Sequence, residues 1–436
     1  MRPTNVRDSL SFRVLVAIGI GILLGLLGGS QPYVLGLGNG DLGQLGMLVI
    51  RLLKALAIPL ILFSILDAFI QSPIPARNAG RLAIICLVNV SVALTIGLSL
   101  INLFHPGDAL HGQIEGLIAQ LGEGDPTRPP SQAKASLAPL QNLASLVPAN
   151  LLEPIISSNV VAVVLLAILF GAAIARLKHT TEDGKTTDLR VIEGFISGGY
   201  ALLIQVLGWV IQAVPFAVLG LVAQAVGKAG LGIFSVMAGY LGFIALGLTL
   251  HGLIYYPLVA WLVSGLTPRR YLGTGADAVL TGFSTNSSLA TVPVTLACLD
   301  KMGVSPSAAR LAACAGTNLN NDGVTLYEVM TALFLAQAIG FNLDLGQQLV
   351  IAAASLMAGI GIAGIPEAGL IVLPLVLGAA GLPEAVVAAA IPLIAPVDWI
   401  LARLRSGVNV LSDMLVAILL HVWDRRSAAT TTEATD

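Results

Sequence analysis

The final apolar segment of this 436-residue chain contains charged and amide side chains, which a membrane-spanning helix normally excludes. Ionisable groups cost about 2.5–3.5 kcal/mol each inside a membrane span, so they mark a functional site. Arg405 can donate two parallel hydrogen bonds to a carboxylate, while Asn409 and Asp413 offer hard oxygens to a small cation. The pattern predicts adjacent anion and cation sites; the alternative is that Arg405 and one aspartate neutralise each other. Steps of four, three, four and four residues place five positions on one helical face: Asp398, Ala402, Arg405, Asn409 and Asp413.

A second polar cluster, with the sequence NLNND, interrupts another apolar segment at residues 318–322. Asparagine and aspartate compete with the backbone for hydrogen bonds, so the helix is expected to unwind here. Freed carbonyl groups, together with Asn320 and Asp322, would form an oxygen cage for a cation. Glu328 lies about one and a half turns further on, where an apolar environment favours a neutral carboxyl group. It is a candidate proton carrier; the alternative is a structural acid.

Two glycine-rich polar stretches, TGFSTNSSLATVP (281–293) and AGIGIAGIPEAG (358–369), interrupt the last third of the chain. Each is predicted to be the tip of a helical hairpin that enters the membrane and returns on the same side. In the first tip, Ser287 and Ser288 offer neutral hydrogen-bond donors to an anion. The N-termini of the half-helices add partial positive charge. Glu367, in the second tip, is expected to lie nearer water.

The two hairpins and the polar helices that follow them recur at similar offsets. Pro293 and Pro366 are separated by 73 residues, and Asp322 and Asp398 by 76 residues. A repeated unit of this kind is typical of secondary transporters, whose repeats are often inverted and hold the binding site at their interface. The alternative is a set of kinked helices with loop glycines, but irregular backbone at membrane depth requires a covering of protein or a water-filled cavity.

The composition excludes a water-soluble protein of ordinary type. Hydrophobic residues make up 56% of the chain and charged residues only 11%, against about 25% charged residues in soluble domains. A net charge of −2 gives no basic surface for nucleic acid. The chain is therefore predicted to reside in a lipid bilayer, without a nucleic-acid partner.

Basic residues cluster in alternate connections, as at Arg269 and Arg270 and at Arg425 and Arg426, which predicts cytoplasmic N- and C-termini. The polar stretch 105–150 is predicted to be an extracellular loop. The resulting fold class is an all-α integral membrane protein with eight transmembrane helices, two re-entrant helical hairpins and inverted repeats. Six apolar segments long enough to cross a bilayer come first: 12–30, 44–70, 80–104, 155–177, 192–225 and 230–265.

The chain resembles the dicarboxylate/amino acid:cation symporter family, which includes the glutamate transporters. This resemblance implies a homotrimer in which a mobile transport domain moves like an elevator against a scaffold, with the hairpins as gates. Its motifs are RLLKALAIPLILFSIL (51–66), LVPANLLEP (146–154), SSLATVPVT (287–295), NNDGVTLYE (320–328), AGIPEAG (363–369) and VDWILARLRSGVNVLSD (397–413).

The resemblance also implies a division into domains. Residues 1–270 are mainly scaffold and trimerisation helices, with the third span (80–104) grouped with the transport core. Residues 271–424 form that core, and residues 425–436 are expected to be a disordered tail.

The same resemblance assigns roles within the site. Arg405 is matched to the residue that receives the distal carboxylate of the substrate, and Glu328 to a glutamate that carries a coupled proton. The substrate-binding positions are Arg405, Asn409, Ser287, Ser288, Ala402, Val324, Gly364 and Ser406. The positions matched to cation sites are Asn320, Asp322, Asn409, Asp413 and Asn89.

This chain departs from the family pattern at several of these positions. Ala402 stands where members that transport amino acids have an aspartate for the substrate ammonium group, and an unpaired buried cation would be costly. Asn321 and Val324 replace a methionine and a threonine. In the third span, Cys86 and Val90 replace polar residues of a sodium site, although Asn89 keeps an oxygen.

We therefore expect a symporter of a small carboxylate, in first place a dicarboxylate, coupled to Na⁺, H⁺ or both and using no organic cofactor. The alternative substrate is an acidic amino acid, with Glu367 replacing the missing acid. An ion channel is the alternative of another class, though channels more often show rings of charge. Enzyme motifs such as His-Glu-x-x-His and Gly-x-Ser-x-Gly are absent. The expected location is the plasma (cell inner) membrane.

Overall fold

The computed structural model describes residues 10–33, 36–71, 76–110, 150–156, 160–179, 181–182, 185–186, 188–362, 364 and 366–433. Most of the predicted extracellular loop, residues 111–149, lies outside these ranges. The described residues are predominantly helical. They include one small antiparallel pair of strands, β1 (Thr181–Glu182) and β2 (Lys185–Thr186).

The first part of the chain forms long apolar helices at the predicted places. Apolar stretches of about 20 residues or more, free of charge, are what a bilayer-spanning helix requires. A one-turn helix, α4 (Glu153–Ile156), precedes the fourth long helix. The long helices are α1 (Leu10–Gly28), α2 (Asn39–Gln71), α3 (Ala76–Phe104), α5 (Val160–His179) and α6 (Arg190–Ala229).

The sixth predicted span is a nearly continuous helix with one local irregularity. It comprises α7 (Gly232–Thr249) and α8 (Tyr256–Ser264), joined by a π-helical turn at Leu250–Tyr255. Such turns are frequent at functional sites because the extra residue redirects the side chains around it. Here the turn contains His251, which is fully buried.

The first predicted hairpin is present as two antiparallel helices, α9 (Pro268–Thr285) and α10 (Ser288–Met302), named hairpin 1 below. The chain reverses at Asn286, whose φ of +53° is left-handed, a conformation that asparagine tolerates better than most residues. Ser287 then caps α10, since its Oγ accepts a hydrogen bond from the N–H of Ala290 at 3.1 Å.

The polar cluster at residues 318–322 interrupts the helical chain, as its composition predicts. A short helix, α11 (Pro306–Arg310), leads into a π turn and a 3₁₀ turn that ends at Asn318. Leu319–Asn321 are not helical, and α12 (Asp322–Ala338) begins at the aspartate. Every residue of α12 is buried, so this helix forms the centre of the structure.

The second predicted hairpin consists of α13 (Leu345–Gly361) and α14 (Ala368–Ala379), named hairpin 2 below. A capping box at Asp344 and Gln347 begins α13. The last helix, α15 (Glu384–Glu433), carries the four polar residues Asp398, Arg405, Asn409 and Asp413, with Ala402, in its middle. It continues into the segment predicted to be a disordered tail, where Ala428 and Ala429 favour helix.

The packing separates two groups of helices. The helices α1, α2 and α6 pack mainly against one another, whereas α3 packs along α12. The span formed by α7 and α8 also packs against α12 and α15. The helices around the site therefore include the sixth span, which the sequence had grouped with the scaffold, because its inner face is buried against the polar helices.

Among the described residues, five helices are long and apolar enough to cross a membrane, within Asn39–Asp67, Gly80–Phe104, Arg190–Lys228, Met237–Ser264 and Val397–Arg426. Shorter apolar helices lie within α1 and within both arms of hairpin 2, α13 and α14. The number of eight transmembrane helices stays a prediction. Arg81 of α3 pairs with Asp424 of α15 at 2.7 Å, which brings two regions predicted to be cytoplasmic together.

Candidate functional site

A small closed cavity lies where the two hairpin tips meet α12 and α15. Its volume is about 10 Å³, which is roughly the space that one water molecule needs. A solute larger than water can enter only if the surrounding groups move apart. Six of the predicted substrate positions line it, together with three that the sequence did not single out: Asn286, Val324, Gly364, Ala368, Gly369, Ala402, Arg405, Ser406 and Asn409.

Among the described residues that line the cavity, Arg405 alone is charged, and it is 2% exposed. Its guanidinium donates to both carboxylate oxygens of Asp398, from Nη1 at 2.7 Å and from Nη2 at 3.0 Å. This is the ion pair that the sequence offered as the alternative to anion binding. The guanidinium also stacks on Tyr327, with Cζ 3.8 Å from the ring centroid.

Close packing against hairpin 2 holds the Arg405 guanidinium in place. A Cβ atom at Gly369 would lie 2.7 Å from the Arg405 Cζ and 2.8 Å from Nη2. A side chain there would displace the guanidinium, so glycine keeps it in this position. The start of α14 therefore forms one wall of the cavity, and its free N–H groups lie beside the site.

The two hairpin tips are joined by side-chain hydrogen bonds. Asn286 donates from Nδ2 to Glu367 Oε1 at 3.0 Å and accepts from Ser406 Oγ at 3.1 Å. Ser287 donates from Oγ to the carbonyl of Gly364 at 2.6 Å, and the N–H of Leu289 donates to the same carbonyl at 3.1 Å. These contacts hold the two tips together over the cavity.

Glu367 is 4% exposed, so it does not lie near water as the sequence suggested. The tip of hairpin 1 covers it. Its φ of +60° is left-handed, which costs a residue other than glycine on the order of 1–3 kcal/mol and must be compensated by contacts.

Asn321 ties hairpin 2 to the unwound start of α12. Its Nδ2 donates to the carbonyls of Gly359 at 2.9 Å and Ile362 at 2.7 Å, and its Oδ1 accepts from Asn409 Nδ2 at 3.0 Å. Asn409 in turn accepts from the N–H of Gly323 at 2.9 Å. The asparagine that replaces a family methionine thus has a structural role here.

Beneath the cavity, Asp322 lies in a polar cluster that the sequence predicted only in part. Its Oδ2 accepts from Tyr256 at 2.8 Å and from Ser412 at 2.8 Å, and lies 3.3 Å from His251 Nε2. Its Oδ1 has no hydrogen-bond partner among the described residues. The π turn of the sixth span places His251 and the neighbouring tyrosines against this carboxylate.

The other predicted cation-site residues lie around the same region. Asn320 Nδ2 donates to Asp413 Oδ1 at 3.4 Å, while Asn320 Oδ1 has no partner within the described part of the chain. Asn89 Oδ1 accepts from Tyr255 at 3.0 Å. Unpartnered buried oxygens of Asn320 and Asp322 are suited to a hard cation. No cluster of three or more histidine, cysteine or acidic residues suited to a metal occurs within the described ranges.

Glu328 is fully buried in α12, and neither carboxyl oxygen has a hydrogen-bond partner among the residues that the structure describes. The sequence shows no basic neighbour, but the fold brings Glu328 within electrostatic range of Arg405 and Asp398. A buried carboxyl group without a hydrogen bond lowers the stability of the fold, so its presence calls for a functional explanation. Its place beside the Arg405–Asp398 pair suits a group that gains and loses a proton.

Of the predicted substrate positions, Ser287 and Ser288 do not line the cavity but support it. Ser287 binds hairpin 2, and Ser288 accepts a hydrogen bond from Thr317 at 3.4 Å. Sequence reasoning missed Asn286, Gly369 and His251. Asn286 had a local signal, an amide residue at a hairpin reversal, whereas His251 had none because its partner lies in another helix.

Comparisons with known proteins agree on one group. The model of the sodium:dicarboxylate symporter family matches residues 10–423. Excitatory amino acid transporter 4 of Mus musculus is 29% identical, over 87% of this chain and 77% of the mouse protein. A putative sodium-dependent excitatory amino acid transporter of Caenorhabditis elegans is 28% identical, over 94% of this chain and 89% of the worm protein. Excitatory amino acid transporter 1 of Homo sapiens is 40% identical over 42% of this chain and 33% of its own length.

Proposed function

Because this chain belongs to the sodium:dicarboxylate symporter family, we propose that it takes up a small dicarboxylate against its gradient, driven by Na⁺, H⁺ or both. The chain is an integral membrane protein, and its family and the named relatives are transporters rather than enzymes. We place it in the plasma (cell inner) membrane with both termini in the cytoplasm.

One observation carries the choice of a dicarboxylate. Ala402 lines the cavity on the same helix as Arg405, and no acidic side chain belongs to the lining among the described residues. Arg405, Asn286, Ser406 and Asn409 have donors that substrate carboxylates can take over from their present partners in the protein. An ammonium group would meet no direct counter-charge. A substrate with two carboxylates and no amine fits this set best.

An acidic amino acid is the second candidate, and two observations favour it. The relatives are named excitatory amino acid transporters. In addition, Glu367 is hydrogen-bonded to Asn286, which lines the cavity. A modest shift of the tip would bring the Glu367 carboxylate to an ammonium group of the substrate.

Coupling to a cation gradient is supported by the polar cluster below the cavity. Asp322 and Asn320 have buried oxygens without partners, as a site for Na⁺ requires. Glu328 is the candidate carrier of a coupled proton. Asn409 connects the two sites because it lines the cavity and also binds the backbone at Gly323. Occupation of the cation site can therefore order the substrate site.

We further propose that the protein works as a homotrimer with an elevator motion. The moving part would comprise residues 271–424 with α3, and we add α7 and α8 because they pack against α12 and α15. The helices α1, α2 and α6 would form the scaffold. Hairpin 2 would open for the substrate, since its contacts to hairpin 1 are a few hydrogen bonds.

Uptake by purified protein in proteoliposomes tests the proposal. Radiolabelled succinate and aspartate are supplied in turn, with an inward Na⁺ gradient, an inward H⁺ gradient or neither. We expect gradient-dependent accumulation of succinate, inhibited by other dicarboxylates and little affected by aspartate. Strong aspartate uptake that succinate does not inhibit would exclude the dicarboxylate and favour the second candidate. Current without uptake would indicate a channel.

A further inference from the structure

The closed gate contains a carboxyl group that belongs to the protein itself. Glu367 lies at the tip of hairpin 2, and its Oε1 accepts a hydrogen bond from Asn286 at the tip of hairpin 1. Both residues are nearly fully buried, at 4% and 3% exposed. Asn286 lines the cavity and is held from its other side by Ser406. The carboxyl therefore engages a donor that faces the substrate site.

Several groups around Glu367 can bind a carboxyl group, although the site is also buried and close to Asp398. It immediately precedes α14, whose first N–H groups carry partial positive charge, and the N-terminus of α10 lies across the tip contact. Arg405 and Arg403 of α15 are both within electrostatic range of its carboxyl group, as is the like-charged Asp398, which is itself paired with Arg405. The helix N-termini and the arginines would attract a carboxylate of the substrate. In the closed structure the Glu367 carboxyl group lies among them instead.

The backbone shows that the side chain is retained at a cost. Glu367 has a left-handed φ of +60°, where glycine would be relaxed. The hydrogen bond to Asn286 and the nearby arginines compensate for this strain. A glycine here would keep the turn but would leave the Asn286 amide buried without its acceptor.

This arrangement bears on the return step of a symporter, in which the carrier reorients without substrate. After releasing its substrate, the carrier must close its gate again, although the donors that held the substrate have lost their acceptors. Buried donors without acceptors are unfavourable. Asp398 supplies acceptors to Arg405, and Glu367 supplies one to Asn286. Both donors are thus satisfied from within the protein.

We propose that the Glu367 carboxyl is an internal substitute for a substrate carboxylate, which lets the carrier close and return without substrate. Glu367 acts as a positioning residue of the gate, through Asn286. When substrate binds, it takes over the Asn286 amide and Glu367 moves aside with the tip. This inference rests on the proposed symport function and adds a role for one residue in its return step.

The test compares two modes of transport in the same proteoliposomes, with full-length protein. Net uptake into vesicles without internal substrate requires the carrier to return without substrate. Exchange with vesicles preloaded with unlabelled substrate does not. Both are measured with succinate and with aspartate, under the same ion gradients. The variants are Glu367→Gly, Glu367→Gln, Asn286→Gly and the double glycine variant, with Glu384→Gln as the control for an exposed glutamate.

We expect Glu367→Gly to raise the ratio of exchange to net uptake about tenfold, the effect of losing one buried hydrogen bond to a charged group. Glu367→Gln keeps an acceptor oxygen and should restore most of the ratio. Asn286→Gly, in which glycine accepts the left-handed φ, should lower uptake in both modes because it also removes a donor to the substrate. The Glu367→Gly change should then add no further rise in the ratio in the double variant, because the donor that Glu367 satisfies is already absent. Glu384→Gln should match the wild type.

Three results would overturn the inference in distinguishable ways. If the wild type is active and Glu367→Gly has the same ratio of exchange to net uptake, the role of Glu367 is excluded while the proposed symport function stands. A loss confined to aspartate, in both modes, would instead make Glu367 the counter-charge of a substrate ammonium group. If the wild type performs neither exchange nor net uptake of either acid, the proposed function fails, and this role fails with it.

Discussion

Arg405 and Asp398 form a two-pronged ion pair within a single helix, seven residues apart, with N–O distances of 2.7 and 3.0 Å. Both side chains are buried, at 2% and 0% exposed. Asp398 thus occupies the guanidinium donors that a substrate carboxylate would use. The pair makes Arg405 available to an anion only through a change of partner or a shared contact.

Asp398→Asn is expected to lower the thermal stability of the protein without substrate and to increase the stabilisation that substrate provides. Breaking a buried ion pair leaves Arg405 without its counter-charge, at a cost of about 3–5 kcal/mol, and a bound carboxylate would offset part of that cost. The measurement is the melting temperature in detergent with and without succinate. Asp300→Asn, at an exposed position, is the control. Equal substrate-induced shifts in Asp398→Asn and wild type would contradict the prediction.

Gly369→Ala should reduce uptake about tenfold or more, because the new Cβ would lie 2.7 Å from the Arg405 Cζ and displace the guanidinium. The protein should remain folded, because the atoms that the new Cβ meets are the far end of the Arg405 side chain rather than backbone. The measurement is kcat/KM for succinate uptake.

Gly378→Ala is the matched control in the same helix, because a Cβ there meets no atom within 4 Å. It should transport at the wild-type rate. Loss of uptake in both variants would indicate a general sensitivity of α14 to alanine rather than a contact with Arg405.

Ala402→Asp should shift the substrate preference from succinate towards aspartate by about tenfold or more. The new carboxylate would face the cavity and accept from an ammonium group, an interaction worth about 1.5–3 kcal/mol, and it would repel a second carboxylate. Competition uptake with the two labelled acids measures the preference. Ala402→Asn provides nearly the same side-chain volume without charge and should show little of this shift. A preference that both variants change equally would refute the charge argument.

Glu328→Gln should abolish the stimulation of uptake by an inward proton gradient and leave any stimulation by Na⁺. The glutamine cannot release or gain a proton, although it has nearly the same size as the glutamate, which is fully buried and without hydrogen-bond partners among the described residues. Uptake is measured at equal internal pH with external pH varied. Glu384→Gln is the control. Unchanged stimulation by the proton gradient in Glu328→Gln would exclude this residue as the proton carrier.

Local sequence pattern was enough to predict the helices, the hairpin tips and the polar face of α15. Helical spacing alone aligns Ala402, Arg405 and Asn409, and the structure places all three at one cavity. The break before α12 also follows from its amide residues, because their side chains compete with the backbone within a few residues of chain. These features depend on neighbours in sequence, so the sequence determines them.

Contacts between segments far apart in the sequence could not be predicted from local pattern and became visible only in the tertiary structure. Asn286 and Glu367 are 81 residues apart, and His251 and Asp322 are 71 apart. No periodicity relates such positions, because hairpin packing and the π turn decide which side chains meet. For the same reason the sequence predicted Glu367 near water, whereas the tip of hairpin 1 buries it.

The choice of an acidic partner for Arg405 separates what the sequence determines from what the tertiary structure determines. By spacing alone, Asp398 seven residues before and Asp413 eight residues after lie on the same helical face as Arg405. The sequence therefore determined that an arginine and two acids share one buried face of a membrane helix. Only the tertiary structure separated the roles of the two acids, because the packing of α12 against α15 places Asn320 beside Asp413, whereas Asp398 pairs with Arg405.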